Sequence, residues 1–422
     1  MRLLIRSAKV IDKQSPYHGL KKDFLIENGI ITHISDHIPE TSGTIIDYPD
    51  MNISPGWFDL RVSAQDPGYE AQEDLISVRK AAAAGGFTGI AVLPNTHPTV
   101  QTKESIFYQK TKGSNSPVEV YPIAAVTIDT KGIDLTEMID LHHAGAIAFS
   151  DGHHPLQNSD MVLKVLQYLQ PFQGLFINRP EDTLLTRFGV MNEGLSATKL
   201  GMKGMPKMAE SMMIMRDLKI LEYTGGKIHF SCISTAESIE LIRQAKKQGL
   251  QVTCDIAAYQ IAFDDEALAD FDTNFKVNPP FRNQADIEAL WKGLADGTID
   301  VIVSDHHPLD EESKQVEFDV ASFGITGLET LFGILNFYNK DLNLADLLEK
   351  IIVNPRRILN LAVPKLAENE PANLTLFETE KEWILNKEHI FSKSSNTPFI
   401  GKPLKGKVLG VVNNNLTEIF TV

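Results

Sequence analysis

Cysteine is almost missing from this chain of 422 residues: Cys232 and Cys254 are the only two. Two isolated thiols make neither a disulfide framework nor a Cys-x-x-Cys metal pair, which excludes the stapled secreted scaffolds and fits a reducing cytoplasm. Long apolar runs are missing as well. None reaches the roughly 18 residues of a membrane span. The N-terminal MRLLIRSAKVIDKQS breaks its short apolar run at Arg6 and Lys9, so it does not read as a signal peptide. Positive charge is in deficit, with 40 Lys and Arg against 55 Asp and Glu and a net charge of -15. No basic face for nucleic acid or an anionic membrane is therefore expected. The acidic residues are spread along the chain and read as solubility. What is present is a 43% hydrophobic content, enough for a sizeable core. The length suits one large domain with a smaller one beside it.

Both ends of the chain read as short strands. LLIRSAKVID, DFLIENGIITHIS and GTIIDYP near the start, and NLTLFETEKEWIL and GKVLGVVNNNLTEIFTV near the end, alternate apolar and polar residues between turns. Together they predict one small β-sandwich domain made of residues 1–52 and 367–422. The middle, 53–366, alternates apolar strands with helical stretches. PGWFDLRVS, GIAVLPNT, VEVYPIAAVT, GAIAFSD, GLFINRP, KIHFSCIS, QVTCDIAAY and DVIVSDHH are separated by segments such as AESIELIRQAKKQG and NQADIEALWKGLADG. Continuous apolar strands alternating with helices imply a parallel sheet covered on its faces, and eight such units close into a (β/α)8 barrel.

The predicted strands end in polar residues: Asn95 and Thr96, Ser150 and Asp151, Asn178 and Arg179, Ser231 and Cys232, Asp305 and His306. A strand tip meets water and is polar for that reason alone. Polar tips on one strand after another, at the mouth where such barrels hold their sites, point to a ligand-binding centre.

PGWFDLRVSAQDPG resembles the dihydroorotase signature, in which the first strand ends His-x-His and Leu-Arg-Glu-Pro-Gly follows. The likeness runs on through KAAAAGGFTGIAVLPNTHP, GAIAFSDG, MNEGLSATKLGMKGMPKMAES, NFKVNPPFR, DGTIDVIVSDHHP, FGITGLET, VNPRRILNL and FSKSSNTPFIGKPLKGKV, spanning nearly the whole chain in order. The resemblance implies an amidohydrolase-type TIM barrel. It also implies an activity, the zinc-assisted hydrolysis of a cyclic amide in pyrimidine biosynthesis. There metal-bound water attacks and an aspartate at the last strand shuttles the proton.

Residue by residue, the ligand set departs from that pattern. Arg61 and Ser63 hold the His-x-His positions, Arg179 holds the next histidine position and Cys232 the one after it. Asp151 aligns with the metal-bridging aspartate and Asp305 with the catalytic one. The family's substrate-binding asparagines are kept as Asn95 and Asn278, but its carboxylate clamp falls on Gln65 and Leu309. An arginine has no lone pair to give and repels a divalent cation. No metal cofactor is therefore expected where the family holds zinc, and Asp305, Asn95 and Asn278 read as vestigial.

The resemblance thus suggests a non-catalytic dihydroorotase homologue that supports assembly of aspartate carbamoyltransferase, itself forming a homo-oligomer in the cytoplasm. Two alternatives stand beside it: an active cyclic-amide hydrolase with a remodelled site, and a small-molecule sensor using the old pocket. His306 and His307 should point different ways, and His153 and His154 read as loop-exposed. Met202, Met205, Met208, Met212, Met213 and Met215 read as loop packing, and Lys199 and Lys203 as solvated surface charges. With the metals gone, Asp151 and Asp305 would lie near each other uncompensated. At least one of Arg61 and Arg179 is expected to form an ion pair with one of them.

Overall fold

The computed structural model describes residues 1–39 and 42–420. Its centre is a parallel sheet of eight strands: β1 (Trp57–Val62), β2 (Phe87–Val92), β3 (Glu119–Ala124), β4 (Ala148–Phe149), β5 (Phe176–Asn178), β6 (Ile228–Phe230), β7 (Val252–Ala257) and β8 (Val301–Val303). These strands fall within the apolar runs predicted from sequence, except that β2 begins two residues ahead of its run, at Phe87. Every residue of β1 and β2 is buried, as expected of strands covered on both faces. Neighbours pair in sequence order, and a parallel bridge from Val62 to His306 brings the far edge back to β1. The predicted barrel is therefore present. Trp57, Phe58, Phe87, Phe149, Phe176 and Phe230 are almost wholly buried in its core.

The covering helices follow from their sequence. In AESIELIRQAKK, Ser238, Ile239, Ile242 and Ala245 repeat at helical spacing and are buried, forming the stripe that holds Ala236–Lys247 against the sheet. The Thr235 hydroxyl accepts from the Ser238 amide and caps the start. Burying a residue such as Ile242 contributes about 1.5–3 kcal/mol. An aspartate there would lose that and strand a charge.

Strands from both termini join one hydrogen-bonded sheet, in which Asn52–Pro55 lies between Arg2–Val10 and Leu374–Ile384. Leu3, Ile5, Phe24 and Ile53 share an apolar core with Leu374, Leu376, Leu409 and Val412, so the two ends form a separate β domain. Its last hairpin pairs Pro403–Asn413 with Leu416–Ile419, and residues 421 and 422 of that predicted stretch lie outside the described residues. Among the described residues no helix is long and apolar enough to cross a membrane.

Candidate functional site

The β1 tip sends Arg61 into the barrel mouth, where the residue is 2% exposed. Its Nε donates to Asp305 Oδ1 at 2.7 Å, joining the start of the barrel to its last strand. Nη1 lies 3.5 Å from Ser231 Oγ and Nη2 lies 3.4 Å from His153 Nδ1. The other Asp305 oxygen accepts from the Tyr259 hydroxyl at 2.7 Å. Both carboxylate oxygens of the aligned catalytic aspartate are thus engaged, one by a fixed positive charge. A base already paired in this way has little capacity to take a proton from water.

Ser63 and His153 form a second contact, Oγ to Nε2 at 2.9 Å. Arginine can only donate, so His153 Nδ1 accepts from it and Nε2 carries the hydrogen towards Ser63. Ser63 is therefore an acceptor here and is not activated as a nucleophile. The His153 ring stacks on His307 at 4.2 Å with an interplanar angle of 15°. Burial first, and then the neighbouring His307 and Arg61, holds the His153 pKa well below 6.5. Burial likewise lowers His307 to about 4, so the stacked pair is neutral at neutral pH. The reading of His153 as loop-exposed is corrected: it is half-buried and packed into the mouth, because its imidazole bridges Arg61 and Ser63. His154 does lie exposed, bonded to Thr130 Oγ1 at 2.7 Å. His306 turns the other way, its Nε2 3.4 Å from Glu73 and its Nδ1 accepting from the Gly327 amide.

Arg179 occupies the other side of the mouth and reaches neither aspartate. Its Nη2 pairs with Glu181 Oε2 at 2.5 Å, and its Nη1 donates to the Asn278 carbonyl at 3.4 Å. Glu181 also accepts from Thr186 Oγ1 at 2.6 Å and Asn278 Nδ2 at 3.0 Å. The expectation of an arginine–aspartate pair therefore holds through Arg61 alone. Asp151 solves its burial differently. It accepts from the Val126 and Thr127 amides at 3.0 and 2.9 Å and from the Thr127 hydroxyl. Burial raises its pKa to about 6 against those hydrogen bonds. Asp151 thus takes no guanidinium: backbone amides and a hydroxyl serve it, and Arg61 serves Asp305.

Asn95 and Asn278, expected at a substrate position, are both committed to the protein. Asn95 spans the Asp151 carbonyl and the His153 amide at 3.0 Å each. Gln65 donates to the Pro308 carbonyl at 3.2 Å, and Leu309 is buried beside it. Cys232 is held by its amide, which donates to Asp255 Oδ1 at 2.6 Å. Burial, then the charge on Asp305, pushes its thiol well above its ordinary pKa, leaving the protonated form, a poor ligand and a poor nucleophile. Gln65, Cys232 and Asp305 have φ of 58°, 56° and 47°, so this mouth keeps three strained side-chain positions together.

Beside Arg179, Cys232 and Asn278 the cavity measures ≈ 10 Å³, room for about one water. The donor set Arg61, Ser63, Arg179 and Cys232 does not fit zinc, which takes imidazoles, thiolates and carboxylates. Among the described residues no three His, Cys, Asp or Glu side chains converge as metal ligands. Sequence reasoning missed Tyr259, Glu181 and Asp255. Glu181 stood two residues from Arg179 in NRPED and Tyr259 closed QVTCDIAAY at a strand tip, so both were within reach as partners of Arg179 and Asp305, whereas Asp255 lies inside its apolar strand.

A family model described as dihydro-orotase-like matches residues 51–238, and an amidohydrolase family model matches 200–414. A dihydroorotase of Pelotomaculum thermopropionicum is 39% identical over 96% of both chains. That of Syntrophus aciditrophicus is 39% identical over 97% of both. Among solved structures, the L-hydantoinase (dihydropyrimidinase) of Arthrobacter aurescens superposes with a TM-score of 0.86 at 19% identity, covering 99% of this chain and 97% of that one. A dihydropyrimidinase of Brevibacillus agri gives 0.84 at 18% identity, over 99% of this chain and 95% of the other. At such identities the structural likeness concerns the fold alone.

Proposed function

This chain belongs to the dihydroorotase family, and we propose that it is a member whose barrel mouth no longer carries out metal-assisted hydrolysis and which serves aspartate carbamoyltransferase as an assembly partner. One observation carries the non-catalytic half: the buried Arg61 guanidinium pairs with Asp305 at 2.7 Å. Activated water and a free proton acceptor are both needed for cyclic-amide hydrolysis. A cation at a metal-ligand position works against the first, and the ion pair removes the second. Ser63 offers no substitute nucleophile, because the hydrogen of His153 points towards it. The partner half rests on family membership in a pathway where a barrel freed from catalysis still has surfaces to offer.

An active dihydroorotase is the competing reading, favoured by relatives of that name at 39% identity over nearly the whole chain. One purification separates the two. Isolated from native extract, the protein should bring down a carbamoyltransferase subunit and, alone with added zinc, turn over dihydroorotate no faster than buffer. Turnover well above buffer that Asp305→Ala abolishes would establish the active reading. A solitary protein with no effect on the carbamoyltransferase would remove the assembly role.

A further inference from the structure

The ring of helices around the barrel leaves one gap. The helix Gln284–Ala295 packs on Ala236–Lys247 along one side. On its other side a cavity of ≈ 670 Å³ separates it from the end of Leu331–Tyr338 and the turn that follows. Gln284, Ile287, Trp291 and Ala295 line one wall. Their steps of three and four residues put them on a single face of the helix. Asn339 fixes the facing wall: its Nδ2 donates to the Leu342 carbonyl at 2.8 Å and its Oδ1 accepts from the Leu342 amide at 3.0 Å, which sets the turn between Tyr338 and Leu342. Phe263 lies on the floor and is itself held by Phe275, Phe281 and Phe399, with ring centroids 5.0, 5.7 and 5.0 Å away. Walls locked by their own contacts make a cavity that exists before any ligand enters, and its volume falls in the range of small-molecule sites.

We propose that this cavity binds an uncharged, ring-bearing apolar molecule that carries a hydrogen-bond acceptor. Phe263, Trp291 and Tyr338 are half-buried and offer aromatic surface to a flat ring. Two donors come with them. The indole N–H of Trp291 can only donate, and among the described residues it has no acceptor. Trp383 shows the contrast: it borders another hollow, of ≈ 450 Å³, but its Nε1 is already spent on the Gly406 carbonyl at 2.9 Å. The Tyr338 hydroxyl is likewise without a protein partner among the described residues, and burial raises its pKa, so it stays a donor. Charge settles the rest. Lys292 and Lys340 line the cavity together with Asp264, Glu288 and Asp341, all but Asp264 exposed. On a chain of net charge -15 an anion meets the three carboxylates, and a cation meets the two ammoniums. A neutral ligand meets neither cost and gains the burial of its apolar surface against Ile261, Ile287 and Leu342. None of Arg61, Asp305 and Arg179 lines this cavity, so the inference is independent of whether the barrel mouth is active.

Prodan, a neutral naphthyl ketone whose emission moves to the blue in apolar surroundings, is the probe. Titrated into the full chain it should bind with that shift and saturate at a single site. Anilinonaphthalene sulfonate, a naphthyl probe that carries a negative charge, should bind roughly tenfold more weakly. Ala267→Phe fills the cavity from the half-buried turn Asp265–Leu268 and should weaken prodan by roughly tenfold or more, with the melting temperature unchanged. Trp291→Phe keeps a ring in the wall and removes only the N–H. It should weaken prodan by roughly threefold to tenfold, and this variant carries the test if Ala267→Phe does not fold. Trp383→Phe, at the other hollow, should change nothing. Absence of prodan binding, tighter binding of the sulfonate, binding that neither Ala267→Phe nor Trp291→Phe weakens, or binding lost on Trp383→Phe would each overturn the proposal. So would prodan binding that weakens as the protein is concentrated, since another protein surface would then be filling the cavity.

Discussion

Two arginines stand where the family's pattern has histidines, and the barrel treats them differently. Arg61 crosses the mouth to a residue 244 positions away in sequence and is held there by Asp305. Arg179 turns back to Glu181, two positions along its own strand end. The first pair bridges β1 and β8, where the sheet closes on itself; the second stays within one loop. A cation placed at a barrel seam becomes part of the closure, whereas one placed beside a carboxylate in its own loop is neutralised locally. Arg61 also has fewer substitutes, because Asp305 keeps only Tyr259 without it, whereas Glu181 keeps both Thr186 and Asn278.

That contrast predicts unequal costs. Arg61→Ala leaves a buried carboxylate with one hydroxyl partner and should destabilise the fold by about 3–5 kcal/mol in chemical denaturation. Replacing both partners, as Arg61→Met with Asp305→Leu, should recover most of that loss. If the single variant costs nothing, the guanidinium is not part of the closure. Arg179→Ala should cost about 1–3 kcal/mol by the same assay, because the two remaining donors still satisfy Glu181. Equal losses at both positions would erase the distinction between seam and loop.

Much of this was legible in the sequence, and the reason is physical. Buried parallel strands are continuous apolar runs, so PGWFDLRVS and DVIVSDHH mark themselves, and barrel closure then makes the tips of the first and last strands neighbours. Arg61 and Asp305 could be paired on that ground. His153 could not, because a loop histidine is placed by the orientation of Arg61 and by stacking on His307, which no periodicity encodes. Asp255 was hidden for a similar reason. It sits inside an apolar strand, fully buried, and binds His229, Ser231 and the Cys232 amide from across the neighbouring strand. The reading of Met208, Met212 and Met215 as packing was wrong, since all three are exposed on the helix Met208–Thr224, and composition alone cannot tell which side of a methionine-rich helix meets the barrel.

The two sides of the mouth should also separate by pH. His307, on the Arg61 side, has its pKa lowered to about 4 by burial, against 6.5 when unfolded. The unfolded chain therefore binds the proton first. The stability contributed by neutral His307 is complete above about pH 6.5 and is lost as pH falls towards 4. Asp151, raised to about 6 from 3.8, acts in the opposite sense: the folded chain binds its proton first, so stability is gained over the fall from pH 6 to 4. His307→Asn should remove the first contribution and make the protein less acid-sensitive between pH 6.5 and 4. The gain relative to wild type should be about 3 kcal/mol at the acid end. Parallel stability curves for the two proteins would mean that His307 titrates normally.

If a guanidinium has taken the place of a metal in the barrel mouth, the zinc content of the purified chain shows it most directly. Protein prepared with zinc in the medium and then dialysed against a mild chelator should retain well under one zinc per chain. In parallel, Arg61→His with Ser63→His and Arg179→His should raise the zinc retained. One tightly held zinc per wild-type chain, lost on Asp151→Ala or Asp305→Ala, would contradict the replacement of metal by arginine.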